Sequence, residues 1–296
     1  MQKKAIIIVN PVAGTMKVKQ GLWDILASLG GQGYETTVFM TEKQGDATRA
    51  AAQYGEACDL VVCCGGDGTL NEVIHGLLSL SEQPLLLYYP CGSTNDFATT
   101  LGLSSDARRV AANIDEREIM NLDVGSLNGT MNFSYIASFG AFVRASYAAP
   151  RAVKNAVGHL AYVIEGAKEI PSLGKFYHTK ITYDDGVIED DFALVAVTNS
   201  TSAGGVLRLP AEQVKLNDGL FEIFLIKGIK TPVDATSAVQ MLLSKKYDGD
   251  KVTLLHTTKA VIECEEAPDW CTDGEYAGKI ARAEVECLKG AVRILI

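Results

Sequence analysis

Five carboxylates and one glycine turn carry the chemistry this chain could do. Gly65-Gly66-Asp67-Gly68-Thr69 places a carboxylate inside a turn of three glycines. Glycines let a ligand come close to the backbone, and the residues after them, Leu70-Asn71-Glu72-Val73, begin a helical pattern. A strand, a glycine turn and a helix N-terminus present free N–H groups, which suit a phosphate. Asp67 would repel that phosphate unless a cation intervened, so the stretch predicts a metal-assisted phosphate site. Asp96, Asp123 and Asp273 also stand in or beside turns, where a lone Asp is ordinary. Trp270-Cys271-Thr272-Asp273-Gly274-Glu275 is less ordinary, with two carboxylates flanking one glycine late in the chain. Phosphoryl transfer needs a screened phosphate and a carboxylate that accepts the hydroxyl proton.

The elements that must hold these groups alternate at first. Strands are predicted at Ala5–Val9, Glu35–Met40, Leu60–Cys64 and Leu85–Tyr89. Helices are predicted at Lys19–Leu29, about Asp46–Tyr54, Thr69–Leu80 and Ser105–Ile114. Uninterrupted apolar strands alternating with helices mark a parallel α/β sheet. Ligands bind such sheets at the carboxyl ends of the strands. Four loops fall there: Asn10-Pro11-Val12-Ala13-Gly14, Thr41, Gly65–Asn71 and Gly92–Asp96. Turn chemistry explains any one of them, but hardly four at one edge. Asn10, Thr41, Ser93 and Thr94 could add side-chain hydrogen bonds to a phosphate-rich ligand.

Near residue 120 the pattern changes. Strands are predicted at Arg117–Asp123, Thr130–Ala137, Phe176–Tyr183, Asp191–Thr198, Leu220–Ile226, Val252–Thr257 and Ala260–Glu265. Asp184-Asp185-Gly186 is a hairpin signal. Two helices interrupt the strands, an amphipathic one over Val153–Ile170 and a second over Pro232–Leu243. The fold expected is α/β with two domains. Residues 1–126 form a parallel nucleotide-binding domain and 127–290 a mainly antiparallel β domain, while the last strand, Ala291–Ile296, could belong to either.

The formal charge of −9 argues against nucleic-acid binding. Seven cysteines without a C-x-x-C pair read as reduced thiols of a cytoplasmic protein. No apolar run reaches the ~18 residues of a membrane span, and the start reads as a strand rather than a leader. Any lipid chemistry would be done from the membrane surface, by peripheral and transient contact. There is no P-loop, no complete dinucleotide fingerprint, no H-E-x-x-H and no G-x-S-x-G. The four histidines are scattered and read as structural or solvent-facing.

Taken together, Asn10-Pro11, Gly65–Glu72, Gly92-Ser93-Thr94-Asn95-Asp96-Phe97-Ala98 and Asp273-Gly274-Glu275 resemble the diacylglycerol kinase catalytic-domain family. That family includes bacterial lipid kinases, sphingosine kinases and ceramide kinases, and the motifs run in order through the chain. Gly-Gly-Asp-Gly-Thr alone is shared with NAD kinases and loosely with phosphofructokinases. The resemblance implies a two-domain kinase with ATP in the cleft. On matching positions, Asn10, Pro11, Val12, Ala13, Gly14, Thr41, Gly66, Asp67, Gly68, Thr69, Leu70, Asn71, Glu72, Ser93 and Thr94 would bind ATP. Glu275 would accept the hydroxyl proton, with Asp273 the other candidate base. Asp67, Asp96, Asp123 and Asp273 would organise Mg2+, partly through water. A structural cation would sit on Asp218 and the carbonyls of Lys215 and Leu220.

Two positions depart from the family pattern. Ala13 replaces a common Ser, and Ser93-Thr94 replaces Thr followed by a small apolar residue. The acceptor would be a lipid alcohol: diacylglycerol, monoacylglycerol, a sphingoid base and a polyprenol all present a hydroxyl beside an apolar chain. A homodimer stays open. Helix 153–170, flanked by Arg144, Arg151, Lys154, Lys168 and Lys175, could dock on a membrane, but covering a sheet is its plainer use. The competing functions are a NAD kinase and a nucleotide-binding regulator without catalysis.

Overall fold

A computed structural model of the chain describes residues 2–14, 17–93, 95–141, 175–203, 207–231, 234, 247 and 249–296. The helix expected at 153–170 lies outside these residues, as does nearly all of that expected at 232–243. The chain divides into unit 1, Met1–Leu122 with Gly290–Ile296, and unit 2, Asp123–Lys289.

Unit 1 is built from β1 (Lys3–Val9), α1 (Lys17–Gly31), β2 (Tyr34–Met40), α2 (Asp46–Tyr54), β3 (Leu60–Gly65), α3 (Asp67–Leu78), β4 (Leu85–Pro90), α4 (Asp96–Thr100) and α5 (Ala107–Ala111). The four strands are parallel in the order β4-β3-β1-β2. Their registers pair Val9 with Met40 and with Cys64, and Gly65 with Pro90. All four carboxyl ends therefore lie at one edge. Ala5–Val9 and Leu60–Cys64 are fully buried, so their unbroken apolar runs follow from helices on both faces. One face carries Ile25 and Leu29 of α1 with Val110 and Ala111 of α5.

The expected helix over Ser105–Ile114 is shorter, Ala107–Ala111, followed by a 3-10 turn at Ile114–Glu116. Asp106 caps its start, and Asn113 at φ 48° breaks its continuation. The loop expected over Gly92–Asp96 ends where α4 starts, at Asp96. α3 begins at Asp67, two positions before the expected start at Thr69.

Unit 2 contains most of β5 (Ile119–Leu127), then β6 (Met131–Phe133), β7 (Ile136–Gly140), β8 (Tyr177–Tyr183), β9 (Gly186–Thr198), β10 (Ser202–Ala203), β11 (Leu207–Arg208), β12 (Phe221–Lys227), β13 (Val252–Thr257), β14 (Lys259–Cys264), β15 (Asp269–Thr272), β16 (Glu275–Lys279) and most of β17 (Arg282–Leu295). Pairing is antiparallel throughout: β16-β15-β7-β9-β8-β14-β17 in order, with β12 against β9 and β13. Phe139, Phe192, Phe221, Ile223 and Trp270 fill its core. The Asp184–Gly186 signal is the β8–β9 hairpin, where Tyr183 faces Gly186.

The division falls at Leu122/Asp123 rather than 126/127. Asp123 belongs with unit 2 because its N–H donates to Leu216 O at 2.8 Å and its carbonyl accepts from Asn199 Nδ2 at 3.1 Å. The closing strand starts earlier than Ala291: β17 begins at Arg282 beside β14, and its last residues return to unit 1, where Ile294 pairs in parallel with Leu86. The single strand expected over Thr130–Ala137 is split into β6 and β7. The backbone between them turns away to serve Asp273, as described below.

Candidate active site

In unit 1 the loops at the common strand edge are tied to one another. Asn10 N–H donates to Cys64 O at 2.9 Å, Thr41 N–H to Val9 O at 2.9 Å, and Cys91 N–H to Gly65 O at 2.9 Å. The Asn10 amide donates to Thr69 Oγ1 at 3.1 Å, and its Oδ1 accepts the Val12 N–H at 3.2 Å. Ala13, which replaces a family Ser, spends its N–H on Asn10 O at 3.1 Å. Gly66 and Gly92 face each other so closely that a Cβ on Gly92 would stand 2.5 Å from Gly66 Cα. Gly14 adopts φ 52°, and a Cβ there would collide with the Cys91 carbonyl.

α3 starts at Asp67 with Gly66 as N-cap, which offers no side-chain cap. The N-cap brings no side chain over the first turn, which the Leu70 N–H closes on Gly66 O at 3.0 Å, and space is open on the Cβ side of Gly68. Asp67 itself points elsewhere. Its Oδ2 accepts the Asp96 N–H at 3.0 Å and its Oδ1 the Phe97 N–H at 3.2 Å. The carboxylate therefore caps α4 and fixes the Gly92–Asp96 loop against the glycine turn. Asn95, at φ 53°, closes that loop by exchanging hydrogen bonds with Gly92 at 2.9 Å each way. Sequence reasoning gave Asn95 no role of its own; its left-handed backbone is one Asn tolerates, but no local pattern demands it.

Glu72, expected among the ATP-binding residues, has a task in the fold. Its two oxygens accept the N–H groups of Gly45 and Ala47 at 3.0 and 3.1 Å, so it caps α2 beside Thr41. Pro11, Leu70, Asn71 and Ser93 stand in or next to these loops. Leu70 is fully buried and contributes packing. Thr94 lies outside the described residues.

In unit 2, Asp273-Gly274 is a two-residue hairpin turn between Thr272 and Glu275, with φ 48° and 84°. Two positive φ values make the type I′ turn that Asp-Gly favours. The Asp273 carboxylate accepts three backbone N–H groups, from Ser134 at 2.5 Å and from Tyr135 and Ile136 at 3.0 Å each. It is 5% exposed. Glu275 opens β16 with an exposed side chain. The β15–β16 pairing shifts register by a bulge at Trp270/Cys271, a device that re-aims side chains beside sites.

Asp123 is fully buried, and its Oδ2 accepts the Gly219 N–H at 2.6 Å. It thereby anchors the turn that carries Lys215, Asp218 and Leu220. Asp218 Oδ1 accepts the Leu220 N–H at 3.0 Å. Beyond the turn Glu222 is buried, its Oε2 has no hydrogen-bond partner, and burial pushes its carboxyl up to about 8. Burial, with Asp123, Asp218 and Glu222 adding to it, pushes the Cys287 thiol up to about 12. Among the described residues no group of three or more His, Cys, Asp or Glu side chains is arranged to hold a metal directly. Within unit 1 the Asp67 carboxylate accepts the Asp96 N–H, and within unit 2 Asp123 and Asp273 each accept backbone N–H groups. A magnesium that keeps several waters still fits, because one or two carboxylates suffice for it.

Residues 4–127 match the family model of the diacylglycerol kinase catalytic domain, and residues 136–296 match that of the YegS C-terminal NAD kinase beta sandwich-like domain. A diacylglycerol kinase of Bacillus subtilis is 32% identical over 94% of this chain and 91% of its own. The chain belongs to the diacylglycerol kinase family. A second relative, the diacylglycerol kinase of Staphylococcus saprophyticus, is 34% identical over 95% of this chain and 91% of its own. A solved structure of a diacylglycerol kinase from Bacillus anthracis superposes with a TM-score of 0.76 at 27% identity, covering 99% of this chain and 97% of that one. Membership makes the protein a phosphotransferase with an alcohol acceptor, a lipid kinase, and implies the use of ATP. Among the described residues no helix is long and apolar enough to cross a membrane.

Proposed function

We propose that the protein transfers the γ-phosphate of ATP to the hydroxyl of diacylglycerol or a related lipid alcohol, working from the cytoplasm in transient contact with the membrane. The observation that carries this reading is the N-terminus of α3, where the N-cap Gly66 brings no side chain and packs backbone to backbone on Gly92. Its amides would hold the phosphates, with Asn10, Thr41, Thr69, Ser93 and Thr94 adding polar contacts. Magnesium, bound through water to Asp67, Asp96, Asp123 and Asp273, would screen the phosphate charge.

Glu275 acts as the base and Asp273 as its anchor. Both Asp273 oxygens already accept backbone N–H groups, whereas Glu275 presents an exposed carboxylate. The acceptor oxygen bonds to the γ-phosphorus as the bridging P–O bond to ADP breaks, and the hydroxyl proton passes to Glu275. A structural cation would sit on Asp218 and the carbonyls of Lys215 and Leu220, a reading supported by the buried, unpartnered Glu222 oxygen two residues beyond that turn.

Labelled ATP, offered with diacylglycerol, monoacylglycerol, a sphingoid base, a polyprenol and NAD, tests the reading. Transfer to a lipid alcohol that needs magnesium supports it. Formation of NADP without lipid phosphorylation overturns it in favour of the NAD kinase alternative, which the likeness of residues 136–296 to a NAD kinase-like sandwich keeps relevant. ATP binding without transfer to any acceptor would point to a regulator.

A further inference from the structure

The protein has two tryptophans, and they could hardly differ more in setting. Trp270 is fully buried in the core of unit 2, while Trp23 is 75% exposed on α1. α1 buries Val18, Ile25 and Leu29 against the sheet, so Trp23 belongs to the outward side of an otherwise well-packed helix. Lys19, exposed and one turn earlier, shares that side. α5 packs along α1, and Arg108 reaches Asp24 at 3.1 Å while its own side chain stays 81% exposed. Arg109 is exposed as well.

We propose that this face of unit 1, with Trp23 at its centre and Lys19, Arg108 and Arg109 around it, docks on an anionic lipid bilayer. The inference rests on the lipid-kinase reading, since a substrate held in a bilayer must be met at its surface. An indole flanked by basic side chains suits the headgroup layer, where its apolar ring and N–H are both accommodated. The charge balance favours a bilayer over self-association. The chain carries −9 overall and would be repelled by an anionic surface, so contact requires a local basic spot. Asp24 pairs with Arg108 and offsets its charge, and Asp106 accepts the backbone N–H groups of Arg108 and Arg109, so that Lys19, Arg108 and Arg109 outnumber these two acids by one charge. Two copies joined through the same patch would oppose like charges. The side of the sheet covered by α1 also leaves Val38 and Met40 exposed on the edge strand β2, sharing Tyr34's face by alternation. The face is close to the phosphate edge, because α1 follows directly on the Asn10–Gly14 loop and Trp23 lies about 9 Å along the helix.

Because Trp270 is buried, tryptophan emission reports on Trp23. Vesicles of phosphatidylglycerol and phosphatidylcholine in equal parts are expected to shift the emission to the blue, and brominated lipid to quench it; pure phosphatidylcholine should do much less. Trp23→Phe should remove the signal. Trp23→Ser should weaken vesicle partition at least about tenfold. Arg108→Gln with Arg109→Gln should weaken it about thirtyfold, the effect of two basic residues at an anionic surface. Each variant should keep wild-type turnover of a soluble short-chain diacylglycerol and lose turnover of vesicle-borne substrate. Unchanged emission, unchanged partition in the variants, or self-association abolished by Trp23→Ser would overturn the docking surface. Vesicle binding through Trp23 without phosphorylation of any lipid would leave it standing and remove the kinase reading instead.

Discussion

Replacing Asp273 with Ala should damage unit 2 far more than its place in a two-residue turn suggests. The carboxylate accepts three backbone N–H groups across the split between β6 and β7, and it is 5% exposed. Hydrogen bonds to a charged group contribute about 1.5–3 kcal/mol each, and such bonds are not additive. Ala also holds φ 48° less readily than Asp, at a cost of about 1 kcal/mol. Together these give about 4 kcal/mol, or a fall of roughly 8–16 °C in the melting of unit 2. Asn in the same place should cost only about 1–2 kcal/mol. It tolerates the left-handed backbone, and its one carbonyl oxygen can keep the Tyr135 and Ile136 bonds while losing the one to Ser134. Calorimetric melts of wild type, Asp273→Ala and Asp273→Asn check the ordering. Equal losses in the two variants, or a shift within about 1 kcal/mol of wild type for Ala, would refute the assignment of Asp273 as the anchor.

Glu275→Gln should leave the melt within about 0.5 kcal/mol of wild type, because the side chain is exposed, yet lower kcat about 10²–10⁴-fold in the labelled-ATP assay. Asp67→Ala should lose both, with about 1 kcal/mol of stability from the uncapped α4 and at least about 10²-fold in turnover, read by melt and assay on one preparation. The Glu222 carboxyl, raised to about 8, binds its proton in the native state where the unfolded chain has released it. Stability should therefore be full below about pH 4.5 for this group and fall as pH rises toward 8, by up to about 1.4 kcal/mol per pH unit. In chelator, Glu222→Gln should flatten that fall in a urea titration across pH 5 to 8, and an unchanged slope would dismiss Glu222 as its source.

Much of unit 1 was legible because its information is local. The runs at Ala5–Val9 and Leu60–Cys64 can only be strands covered on both faces, and the glycines mark the end of the second, with Gly65 closing β3, Gly66 capping α3 and Gly68 in its first turn. Asp273-Gly274 likewise carries its own turn type. The strands around it, β15 and β16, were missed because Trp270-Cys271-Thr272 and Glu275–Lys279 are short and their alternation is broken by a bulge. What no local pattern holds is the partner of each acid. Asp67 finds its amides 29 and 30 residues away, Glu72 its own 27 and 25 away, and Asp273 its own 137 to 139 away.

Those distant partners change what the acids are for. A carboxylate that caps a helix or ties down a loop is oriented before any ligand arrives, and an oriented charge costs no reorganisation when the phosphate charge shifts. Asp67 ties the glycine turn to the Gly92–Asp96 loop, and Asp273 holds the turn that ends in Glu275. In each case one carboxylate serves the fold, and on the proposed reading the neighbouring surface would serve the reaction. That division explains why Asp67 and Asp273 should lose stability and turnover together on substitution, whereas Glu275, presented at the end of such a turn with an exposed side chain, should lose turnover alone.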